Sequence, residues 1–139
     1  MIEEIRDEGT LYALVIYSDY SPDGVEFFTP GEFSQQLGVM KRPSGHEIEP
    51  HYHKDVVREV ERTQEVLVIR EGKVRVDIYD DDEREIESLT LEDGDVILLA
   101  AGGHGFEMLE ETEMVEVKQG PYAGEDDKVH ITRSESGDT

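Results

Sequence analysis

Three histidines and one glutamate are the residues of this chain best suited to chemistry. His51 and His53 flank Tyr52. On an extended segment, residues two apart point to the same side, so both imidazoles project into one space and Tyr52 into the other. Two neutral imidazoles on one face form a natural ligand pair for a first-row transition metal. A plain packed or exposed pair is the alternative, because His-x-His alone is common. Glu65 opens the next strong apolar run and shares a face with Leu67 and Ile69. A carboxylate at the head of an apolar face is costly unless it is paired or bound to a cation. A salt bridge to an arginine is the bland alternative. His104 stands between Gly103 and Gly105, where backbone freedom can aim the ring inward; otherwise it is a turn histidine. Together, His51, His53, Glu65 and His104 make a candidate set for Fe(II), Mn(II), Ni(II) or Zn(II), with coordination positions left for water or substrate. His46 and His130 read as surface residues.

The elements that must position these residues are short strands. Apolar, β-prone runs at 11–17, 25–28, 37–41, 48–53, 64–70, 74–79, 86–91, 96–100, 106–110 and 114–118 are separated by turn residues. Ser21-Pro22-Asp23-Gly24 and Glu92-Asp93-Gly94-Asp95 are such turns. Glu71-Gly72-Lys73 joins two of the runs as a hairpin. A helical stripe is visible only weakly, at 55–61. The pattern predicts an all-β sandwich or barrel. Lys54, Arg58 and Arg62 alternate with Glu59 and Glu61, which reads as a solvated face before it reads as an anion site. Asp80-Asp81-Asp82-Glu83 lacks the spacing of a calcium loop and reads as a solvated turn.

The order of the chemical residues resembles the cupin superfamily. Its first motif is matched by Gly45, five residues, His51-x-His53, then Glu65, six residues and Gly72. The departure is the gap of eleven residues between His53 and Glu65, which is longer than the family's. The second motif is matched by Gly94 and Gly102, with Ala100 in place of a proline, His104 one residue early and Met108 in place of an asparagine. The resemblance covers roughly 37–118. It implies a double-stranded β-helix, the cupin-type jelly-roll barrel, with the site inside its mouth. It implies that residues 1–36 are N-terminal strands packing on the barrel or at a dimer interface, 37–122 the barrel, and 123–139 a C-terminal extension. It further implies His51, His53, Glu65 and His104 as ligands of a divalent metal (Fe, Mn, Ni or Zn). The implied activity is that of a metal-dependent dioxygenase or isomerase on a small oxygen-rich organic substrate. Two alternatives stand beside it. One is a non-catalytic ligand- or metal-binding module. The other is a metal-free enzyme similar to the small cupins that isomerise keto-sugar nucleotides, whose His-x-His-Lys is echoed by His51-Tyr52-His53-Lys54, with a histidine as base. A homodimer is also implied.

Composition bounds these expectations. The chain has 139 residues, enough for one domain with a core. It has no cysteine, which excludes disulfides, zinc–thiolate sites and cysteine nucleophiles. No apolar run approaches the roughly 18 residues of a membrane span, and the acidic start, Met1-Ile2-Glu3-Glu4, lacks the features of a signal peptide. The expected compartment is therefore the cytoplasm. The polar end, 133–139, is expected to be disordered. Aspartate and glutamate total 35 against 13 lysines and arginines, a net charge of −22. Such a surface repels nucleic acid and anionic membranes, leaving small molecules as the expected partners. The acids are either an ordinary solvated surface or an adaptation to high salt. On the second reading the thermal unfolding midpoint rises between low and molar salt, where screening shortens the Debye length to about 3 Å. A midpoint that does not rise rules that reading out.

Overall fold

Apolar runs interrupted every few residues by glycine, proline and aspartate cannot propagate a helix, and they pair instead. In the computed structural model, which describes residues 1–132, ten strands form: β1 (Ile2–Asp7), β2 (Thr10–Ile16), β3 (Gly24–Phe27), β4 (Gly38–Lys41), β5 (Glu65–Glu71), β6 (Lys73–Tyr79), β7 (Glu85–Glu92), β8 (Val96–Leu99), β9 (Gly103–Met108) and β10 (Glu113–Lys118). One 3-10 turn follows at Gly124–Asp127. Residues 133–139, expected to be disordered, lie outside the described residues. Among the described residues no helix is long and apolar enough to cross a membrane.

All pairings are antiparallel. They make a five-stranded sheet in the order β1-β2-β8-β5-β10, a three-stranded sheet β7-β6-β9 and a hairpin β3-β4. The two larger sheets face each other over one core. Ala13, Val15, Leu67, Ile69, Ile97 and Leu99 from one meet Val74, Val76, Ile78 and Leu91 from the other. A second apolar layer lies on the opposite face of the five-stranded sheet. There Leu14, Ile16, Val66 and Leu98 are covered by Phe28, Phe33, Leu37 and Val39 from the β3–β4 hairpin and its loop. Strands β2 and β8 are therefore buried on both faces, which is why they read as continuous apolar runs while β6 alternates. Tyr12 is the extra residue of a β-bulge. Ile5 pairs with Ala13 and Arg6 with Leu11, so Tyr12 and Ala13 both turn to the inter-sheet core.

Two expectations change. The sheets do not close into a barrel: β1 and β10 end one, β7 and β9 end the other, and among the described residues no ladder joins them. What is established is an all-β architecture of three antiparallel sheets. The run 48–53 is not a strand. The chain is exposed throughout 40–63 and irregular from 42 to 64, because Ile48, Val56, Val57 and Val60 reach neither core layer; the weak helical stripe at 55–61 is likewise absent. The charged start forms strand β1. Only Ile5 of β1 is buried, so its apolar signal is one residue deep, and the β2 edge supplies the pairing.

Leu98 is fully buried, and truncation leaves a cavity as well as lost transfer energy. Leu98→Ala is expected to lower stability by about 2–5 kcal/mol in chemical denaturation. Val57→Ala, in the exposed segment, is expected to change it by less than about 0.5 kcal/mol.

Candidate functional site

Strand alternation decides where Glu65 points. On β5, Leu67 and Ile69 enter the inter-sheet core, and Glu65, two residues before Leu67, faces the same gap at its open end. On β9, Phe106 packs against the same core, and His104, two residues earlier, faces the same way. Gly102 makes that approach possible. Its φ is +64° and a Cβ there would stand 2.1 Å from the Tyr79 carbonyl oxygen, so only glycine lets the chain turn into β9 against β6.

The outcome is a meeting between the two large sheets. His104 Nε2 lies 3.6 Å from Glu65 Oε1, with the two side chains 27% and 13% exposed. The His104 ring also lies 5.5 Å from Phe106, tilted by 56°. Strand β10 adds two further groups. Glu65 pairs with Lys118 and Leu67 with Glu116, so Glu116 is the diagonal neighbour of Glu65, on the face that carries Met114 into the core. That register sets the Glu116 carboxyl beside Glu65. Glu65, His104 and Glu116 line an open cleft of about 870 Å³ whose apolar side includes Leu67, Phe106 and Met114, with Lys118 at its margin beside Asp127.

The electrostatics follow from this geometry. The interaction with His104, long for a hydrogen bond at 3.6 Å, is the largest influence on Glu65. With smaller help from Glu116 and Lys118, it holds the Glu65 carboxyl down at about 2 against the opposing effect of burial. Glu116 moves the other way. Its interaction with Glu65, then burial and the charge of Glu65, raise it, with Lys118 and Lys128 pulling back. The two carboxyl groups are thus shifted in opposite directions. Lys118 is raised, first by its hydrogen bond to Asp127, at 3.3 Å.

The four residues singled out in the sequence thus fall into two pairs. Glu65 and His104 come together. His51 and His53 lie in the exposed segment, their rings 5.5 Å apart and edge to face. His51 Nδ1 is 2.7 Å from the Glu49 carbonyl, which can only accept, so Nδ1 donates and Nε2 is left as the lone-pair nitrogen. Among the described residues no group of three or more His, Asp or Glu side chains is arranged to hold a metal ion. As they stand, Glu65 and His104 provide two donors and do not by themselves make a metal site. His46 is exposed, and His130 is exposed while lining the cleft. The Asp80 turn is closed by its own chain: the buried Asp80 carboxylate accepts from the Asp82 and Arg84 amides and from Arg84 Nε.

Glu116 and Lys118 are site residues that the histidine and glutamate motifs do not reveal. Their signal lies in the alternation of β10, where Glu116 and Lys118 follow Met114 on the inward face while Val115 and Val117 face out. It becomes legible only once β10 is registered against β5. Compared with known proteins, the chain matches no family model, no curated protein and no solved structure.

A lowered carboxyl pKa stabilises the fold where the group is ionised, and that stability is lost as pH falls through the folded value. Glu65 therefore contributes fully above its ordinary 4.5 and loses its contribution as pH falls towards about 2. Glu116 has the opposite sign, being raised: its contribution is present below 4.5 and lost as pH rises through its folded value. Thermal melts across this range are expected to show wild type exceeding Glu65→Gln most near neutral pH, with the gap closing in acid. A gap independent of pH would contradict the pairing.

Proposed function

We propose that the protein binds and acts on a small oxygen-rich organic molecule in the cleft between its two large sheets, with Glu65 and His104 as the working acid–base pair. The observation that carries this reading is the meeting of Glu65 and His104. They come from separate sheets and lie 3.6 Å apart in a cleft of mixed lining, with Leu67, Phe106 and Met114 on its apolar side and Arg62, Asp81, Asp127 and Lys128 among its charged groups. An ionised Glu65 beside Nε2 favours the tautomer with its proton there, which leaves Nδ1 of His104 as the basic nitrogen. Glu116, exposed on the neighbouring strand β10, borders the same cleft. Leu67, Phe106 and Met114 provide the dry wall against which a small substrate is held. The resemblance to the cupin superfamily supports the same reading, with the double-stranded β-helix as the finer fold and a homodimer as the assembly. The net charge of −22 argues against a nucleic-acid or anionic-membrane partner.

A second reading is favoured by one observation. The segment 42–64 is exposed up to residue 63 and irregular throughout, yet Thr63, near its end, lines the cleft. His53, ten residues away, is separated from Thr63 by at most about 36 Å of extended chain. If the segment folds inward, His51 and His53 join Glu65 and His104 as ligands of Fe, Mn, Ni or Zn, and the metal supplies Lewis-acid or oxygen-activating chemistry. A third reading, a non-catalytic binding module, uses the same cleft without turnover.

Thermal shift with a panel of keto-sugars and nucleotide sugars tests the first reading. A ligand at about 100 times its Kd stabilises the native state by about 2.7 kcal/mol. The shift is expected to vanish in Glu65→Gln and His104→Gln; no stabilisation by any member counts against the cleft as a sugar site. Elemental analysis of protein prepared without chelator or histidine tag tests the second. Stoichiometric metal that is lost in both His51→Ala and Glu65→Gln supports it, and absence of metal from every preparation removes it.

A further inference from the structure

We propose that residues 127–131 form a latched strap along one wall of the open Glu65–His104 cleft, whose lifting widens the way to His104. This rests on the reading of the cleft as the working site. After β10 the chain does not leave the domain. It returns along the cleft and contributes Asp127, Lys128, Val129, His130 and Ile131 to its wall.

Two fastenings hold it. At one end Asp127 binds two separate parts of the body. Its Oδ2 takes the Lys118 Nζ at 3.3 Å and its Oδ1 accepts from Thr63 Oγ1 at 3.2 Å. Both partners of the ion pair are largely covered, at 26% and 16% exposed. At the other end Ile131 sits on the bare backbone of Gly103, where an added Cβ would stand 2.3 Å from Ile131 Cδ1. Gly103 adjoins His104 and Lys118 pairs with Glu65, so each fastening is next to one member of the working pair. Between the fastenings, among the described residues, no backbone hydrogen bond ties the strap to either sheet, and Val129 is 88% exposed. A segment held by one ion pair, one hydroxyl and one aliphatic contact opens at far lower cost than a strand in a ladder. Such low-cost segments are where lids are found.

The strap makes a further contribution to the site. It brings Lys128 and His130 to the cleft wall. Lifting it therefore changes the polar character of the cleft as well as its access.

Diethylpyrocarbonate labelling read by peptide mass spectrometry tests the strap on the intact chain. His51 and His53, exposed in the native protein, serve as internal standards whose rates should not change. Asp127→Asn weakens the latch without altering its shape. Ile131→Ala removes the aliphatic contact that fastens the other end at Gly103. In each variant His104 is expected to label about tenfold faster relative to His51 and His53 than in the wild type, as an opened state passes from rare to populated. If His104 stays within about twofold of its wild-type rate in both, the strap is not a gate. Labelling measures access alone, so a cleft that takes no sugar in the thermal-shift panel would leave these rates as they are, and the two readings fail separately.

Discussion

Burial of the strands β2, β8 and β5 on both faces is the constraint on which the rest of the structure depends. Leu14, Val15, Ile97 and Leu98 have no exposed surface, and neighbouring residues along each strand enter different apolar layers. A sheet of this kind cannot stand alone in water. It requires a partner sheet on one side and a cover on the other, which here are β7-β6-β9 and the β3–β4 hairpin with its loop. The bulge at Tyr12 adjusts the register on which this double burial depends.

The site is what happens to that core at its edge. The inward faces of β5, β9 and β10 carry apolar residues into the inter-sheet space, and then, with no break in alternation, the next inward position is polar. Glu65 precedes Leu67, His104 precedes Phe106, and Glu116 follows Met114. Those polar side chains face one another because the strands that carry them already do. The contact between Glu65 and His104 compensates for their partial burial. The same logic explains the Lys118–Asp127 pair at the margin of the cleft. A covered charge needs a partner, and a carboxylate is the commonest partner in a chain with 35 of them.

Elsewhere the acidic excess is handled locally. Arg75 lies between Asp77 and Glu107, and Arg84 between Asp80 and Asp82. Such pairs relieve repulsion where cations happen to fall. The long exposed segment 40–63 carries its alternating charges into solvent.

By itself the sequence determined that the chain is all-β and that 11–17, 64–70, 74–79 and 96–100 are strands, because apolar periodicity and glycine turns are local signals; it offered Glu65 as a candidate without fixing which way it points. Within one residue or so these readings hold at β2, β5, β6 and β8. It also named His104, although as a turn residue rather than the second residue of a strand. Only the tertiary structure decided that β1 is a strand, since its pairing comes from β2 and not from its own charged residues. Only it separated His51 and His53 from Glu65 and His104, because extended-segment periodicity says which way two side chains point and not what they point at. Glu116 and Lys118 stayed invisible for the same reason. Glutamate and lysine on a strand look solvent-facing until the register with β5 turns them towards Glu65, and register is set by long-range pairing that no local pattern contains.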